Sequence, residues 1–180
     1  MRSTATQPAS SEASPEAAAS RRPPAPTQVG PTLPSKSDHT TFAQDANALA
    51  VLFGIAPADK VAGILSALKT LWGQHGSEPF SGTSYSNLIS PYITAYEVEA
   101  DYLAGDTADA EQLMHVTWDQ MIERENPFVT GTMWENVGPD GTATESRTSL
   151  THGWALGPTP IMTSYVLGVQ PVDPGHQNQM

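Results

Sequence analysis

The stretch "SPYITAYEVEADYLAGDTADAEQLMHVTWDQM", Ser90 to Met121, decides the fold. Pro91 has no backbone N–H to lose and suits the first turn of a helix. Ile89, Tyr92, Ile93, Tyr96 and Leu103 recur at helical intervals, and Gly105 stops the pattern. Asp106 or Thr107 can cap a second helix, whose apolar stripe is Ala110, Leu113, Met114, Trp118, Met121 and Ile122. So short a link between two helices makes them antiparallel, an αα-hairpin. Glu97, Glu99 and Asp101 alternate along the first helix, so they are expected on a solvated surface rather than on one functional face.

The same logic extends in both directions. Upstream, "TFAQDANALAVLFG" opens with Thr41 and Gln44 at the spacing of a capping box and closes at Gly54. "PADKVAGILSALKTLW" follows, with Val61, Ile64, Leu65, Leu68, Leu71 and Trp72 on one face and Gly73 at its end. A looser stretch, "GQHGSEPFSGTSYS", joins this pair to the next. Downstream, "SLTHGWALG" and "TPIMTSYVLG" read as a third pair broken at Gly157-Pro158. Residues 126 to 148 form an excursion before it, either an irregular loop or a short strand or hairpin. The expected class is all-α, built from antiparallel helical hairpins.

Composition sets the outer limits. Residues 1–39 are rich in Pro, Ser, Ala and Thr, and such a segment buries too little to offset its ordering entropy, so it reads as a disordered tail. The helical domain runs over 40–175, with 176–180 as a second short tail. The chain carries a net charge of −11. Arg2, Arg21, Arg22 and Lys36 stand against Glu12, Glu16 and Asp38 in the tail, a net of +1, so the remainder stands at −12. That excess argues against nucleic acid or an anionic membrane as partner, because both need clustered cations. There is no cysteine, hence no disulfide, thiolate metal site or cysteine nucleophile. The N-terminus lacks an apolar signal core, which makes the cytoplasm the default expectation. His39, His75, His115, His152 and His176 show no metal-ligand spacing, and no cofactor is expected.

Within the excursion, "GTMWENV" (Gly131 to Val137) sets Glu135 behind Trp134 and ahead of the turn-forming Gly138-Pro139-Asp140-Gly141. Most loop glutamates are only solvated. A long loop in a compact helical domain often carries function, however, and an adjoining indole can exclude water from a carboxyl.

Four stretches, "FAQDANALAVLFGIA", "ISPYITAYEVEADYLAGDTADA", "GTMWENVGPDGT" and "LTHGWALGPTPIMTSYVLGVQPVDPG", together resemble the catalytic domain of the α-L-rhamnosidases, inverting glycoside hydrolases. They follow the family's order over about residues 41 to 175. The resemblance implies the later half of an (α/α)6 toroid. It implies hydrolysis of terminal α-L-rhamnosyl linkages, so that the partner is a rhamnose-containing glycoside. Glu135 matches the general base. His152 matches a pocket-lining histidine; Trp134 and Trp154 are candidates to stack on the sugar, and Asp45 and Asn47 are further pocket candidates. Trp72 and Trp118 are read as core. The family's acidic motif, which supplies the general acid, has no counterpart in residues 1–40. The expectation is therefore a fragment that is inactive alone, completed by a missing N-terminal half of the barrel, its parent enzyme open to export. Without the resemblance, the same residues also fit a non-catalytic sugar-binding or helical interaction module.

Overall fold

The computed structural model describes residues 41–82, 86–143 and 148–170. The expected tails and the end of the expected domain, 171–175, lie outside the described residues. The fold is helix-rich, with helices packed against one another: α1 (Gln44–Leu52), α2 (Ala58–Lys69), α3 (Pro91–Ala104), α4 (Thr107–Trp118) and a short α5 (Pro158–Ile161). Among the described residues, no helix is long and apolar enough to cross a membrane.

The α3–α4 hairpin forms where its sequence predicts, although Asp106, at the N-cap of α4, makes no side-chain cap hydrogen bond. Pro91 occupies the first turn of α3, and Gly105 terminates it with φ of 88°, a left-handed conformation that costs glycine nothing. Its N–H donates to the Tyr102 carbonyl, and the N–H of Asp106 donates to that of Asp101. Gly54 likewise closes α1 with φ of 63°. Pro57 directly precedes α2, which buries Ile64, Leu65 and Leu68.

Three local expectations change. The capping box at Thr41 does not form: α1 starts after Ala43 without a side-chain cap, and Gln44 turns inward instead. α2 ends at Lys69, not Gly73; Trp72–Gly73 pairs antiparallel with Gly76–Ser77 as a two-stranded ribbon, β1–β2. The third helical pair is half missing. Its first member is only a 3-10 turn, Gly153–Ala155, and its second is α5 followed by a π-type turn over Met162–Val166. The excursion before it is irregular among its described residues. It is pinned to the start of α3 by a reciprocal pair of backbone hydrogen bonds between Ile89 and Val137, both 2.9 Å.

The largest departure concerns α3. It packs on α1, α2, α4, α5 and the 153–155 turn, so it is the central helix and is buried on more than one side. Leu103, expected on the apolar stripe, is exposed, and the buried set is Pro91, Thr94, Ala95, Glu97, Val98, Ala100 and Asp101. Small side chains here let neighbouring backbones approach closely. Two apolar clusters flank the helix. Ala95 and Val98 join Leu113, Trp118, Met121, Trp134 and Ile161. Ala100 joins Ala48, Val51, Ile64, Leu65 and Leu68. Glu97 and Asp101, one turn apart, are 0% and 3% exposed, so the expectation of a solvated acidic face is overturned.

Candidate functional site

The loop around Glu135 is held by backbone pairing. The Glu135 N–H donates to the Ser149 carbonyl, and the His152 N–H donates to the Met133 carbonyl, each at 2.9 Å. Two chain segments far apart in sequence thus lie side by side. The Thr132 hydroxyl donates to the Leu150 carbonyl and strengthens this seam. Ser149 N–H then donates to Oε2 of Glu135 at 2.9 Å. The carboxylate is half-buried and held in place by a backbone donor, which restricts its rotamers without removing it from solvent.

Trp134 faces the other way. It is fully buried in the cluster that includes Met121, Val137 and Ile161. Its indole N–H donates to the Thr130 hydroxyl at 3.0 Å, and its backbone N–H points at Met121 Sδ at 3.4 Å. In this chain its ring therefore presents no open face for stacking on a sugar; it anchors the loop that carries Glu135.

Beside the seam lies a pocket of about 240 Å3 whose walls include Ile122, Thr132, Met133, Thr151, His152 and Leu156. His152 thus lines a cavity next to the Glu135 segment. Trp154 stands 66% exposed in the neighbouring cleft and packs edge-on against Tyr92, with ring centroids 4.9 Å apart. Asp45 and Asn47 line neither cavity. Asp45 is exposed, and its Oδ1 accepts from the Ala46 N–H at 2.7 Å, as suits an acid in the first turn of a helix. Asn47 is buried and donates to the Ala43 carbonyl at 2.8 Å.

The residues that sequence reasoning missed surround Glu97. The indole N–H of Trp72 donates to Glu97 Oε1, and the Gln44 amide donates to Oε2, both at 2.6 Å. Trp72 is therefore only half core; its polar edge serves a buried acid. The Ser77 hydroxyl also faces this carboxylate without completing a hydrogen bond. Burial pushes the Glu97 carboxyl above its ordinary range, and the donors from Trp72 and Gln44 oppose that shift. Asp101 is pushed up to about 8, first by burial and then by the nearby charges of Glu97, Asp109 and Asp106, with Lys69 acting against them. The i, i+4 spacing of Glu97 and Asp101 among alanines was the available signal. Trp118, read as core, is buried and donates its indole N–H to the Ala155 carbonyl at 2.7 Å, tying the 153–155 turn to α4.

Among the described residues, no group of three or more His, Asp or Glu side chains is arranged to hold a metal ion. No protein-family model matches the chain, and no curated protein matches it significantly.

Proposed function

We propose that residues 41–170 are part of a glycoside hydrolase of the α-L-rhamnosidase type, the later half of a helical toroid, with Glu135 as general base. The observation that carries this reading is the Glu135–Ser149 clasp beside the His152 pocket. An inverting glycosidase needs one carboxylate to deprotonate water and a second carboxyl, roughly 6.5–9.5 Å away, to protonate the leaving oxygen. A general base must be positioned and partly wet, and Glu135 meets both conditions. His152 offers a ring nitrogen to sugar hydroxyls. The acid comes from a motif this sequence does not contain, so the chain alone turns over no rhamnoside. Trp134 acts through the loop it anchors rather than by touching sugar.

The test is thermal melting of the purified chain with excess L-rhamnose, for the native sequence and for Glu135→Ala and His152→Ala. A ligand that binds only the folded state raises its melting temperature. An upward shift that both substitutions abolish supports the site. No shift at any sugar concentration removes the half-site. Turnover of an aryl α-L-rhamnoside by the native chain itself would show that the acid lies within these residues. Sugar binding that never gains turnover when the complementing half is supplied would leave a carbohydrate-binding module.

A further inference from the structure

We infer that the cleft between α3 and the 153–160 segment is a binding site for an alkylated ammonium cation, formed by Tyr92, Tyr96, Trp154 and Glu99. This inference stands apart from the proposed hydrolase activity. The cleft encloses about 390 Å3. Tyr92 meets Tyr96 edge-on, with centroids 5.1 Å apart at 66°, and meets Trp154 edge-on, with centroids 4.9 Å apart at 68°. The three rings meet edge-on rather than in a flat stack, and all three line the one cleft. Cations are drawn to such ring faces, most strongly to tryptophan.

Glu99 adds the charge. It lines the same cleft, is half-buried, and forms no hydrogen bond or ion pair among the described residues. Burial raises its carboxyl above the ordinary range, as expected of an acid lacking a counter-ion. Lys60 and Lys69 are already paired, with Asp59 and Asp109.

The remaining walls, including Ala95, Leu156 and Pro160, are mostly apolar. The Tyr96 hydroxyl is committed to that of Tyr92 at 2.5 Å. A sugar ring would find few partners for its hydroxyls here, and each unpaired one would be penalised. An ammonium clothed in methyl groups suits both the apolar walls and the lone carboxylate.

The experiment is a fluorescence titration of the full chain with choline, against its neutral isostere 3,3-dimethylbutan-1-ol and matched sodium chloride. Choline should give a saturable tryptophan signal and bind at least tenfold more tightly than the alcohol. Trp154→Ala and Glu99→Gln should each weaken it at least fivefold, while Leu103→Ala, on an exposed part of α3, should not change it. Circular dichroism checks that all three variants are folded. Affinity should rise as Glu99 loses its proton on raising the pH, since Tyr96 and Tyr165, the groups that feel its charge, are held above the ordinary tyrosine range and stay neutral there. Equal binding of the alcohol would reduce the site to an apolar cleft. A Trp154-dependent response to L-rhamnose without one to choline would make it a sugar platform. Absence of saturation by choline overturns the site outright.

Discussion

Glu97 and Glu135 are the same side chain in opposite circumstances. Glu97 sits on the central helix, fully buried, with a donor on each oxygen from residues 53 and 25 positions away. Glu135 sits in a loop, half-exposed, clasped by one backbone N–H. The sequence suggested the reverse assignment of interest for the first: a solvated surface acid. The difference lies in what removing each would leave behind. Without Glu97, the half-buried Trp72 indole N–H loses its partner and the buried Gln44 amide keeps only its longer bond to the Thr94 hydroxyl. Without Glu135, water can replace most of what it did. The first carboxylate is therefore bound up with folding, and the second is available for chemistry.

The strongest test of this contrast is Glu97→Ala. Removing the shared acceptor of two inward-facing donors should lower unfolding free energy by roughly 3 kcal/mol, read by urea denaturation. A loss below about 1 kcal/mol would mean that the seam relaxes or hydrates, and the contrast fails.

Next in size is the junction between the two regions. A Cβ on Gly157 would stand 2.5 Å from Ala95 Cβ, so the residue just ahead of α5 packs its backbone directly on the Ala95 methyl of the central helix. Gly157→Ala should destabilise by about 2 kcal/mol, because an overpacked contact between two elements must push them apart. A neutral outcome would show that the last segment is loosely seated.

Asp101 sharpens the comparison through pH. Its folded value of about 8 lies above its ordinary 3.8. Between those values the unfolded chain releases a proton that the folded chain keeps, so stability falls as pH rises through this window. The slope is at most about 1.4 kcal/mol per pH unit for one group. Asp101→Asn should flatten the fall between pH 5 and 8. An unchanged slope in that variant would assign the dependence to Glu97 or another group.

The smallest effect should be that of Glu135→Gln on stability, within about 0.5 kcal/mol, because the site is half-exposed and the amide oxygen can still accept from Ser149. A loss rivalling that of Glu97→Ala would make Glu135 a structural acid and weaken its proposed role as base.

The α3–α4 hairpin was legible because its signals are local: Pro91 at the first turn, Gly105 at the stop, and a link too short for anything but reversal. Of the expected stripe, Ala110, Leu113, Trp118 and Met121 are buried for the same reason, since α4 has one apolar face to bury, but Met114 is only partly buried and Ile122, past the end of the helix, is exposed. The face of α3 was not. A stripe rule assumes one buried side, and a helix packed on several neighbours has none. The burial of Trp134 is hidden for a related reason, for an aromatic beside a candidate base reads equally well as platform or as anchor. Its burial against Met121 and its bond to Thr130 come from chain segments folding back on each other.

What the sequence determined by itself was therefore the first four helices, to within a few residues of their ends, together with a loop bearing Glu135. Each follows from propensity, capping and spacing within a few residues. What only the tertiary structure decided was which carboxylates are inside. Glu97 is enclosed because α1 and β1–β2 bring Gln44, Ser77 and Trp72 over it, and Glu135 is clasped because Ser149 returns beside it. Burial is a property of the neighbours an element acquires, and those neighbours lie too far along the chain for any local pattern to name them.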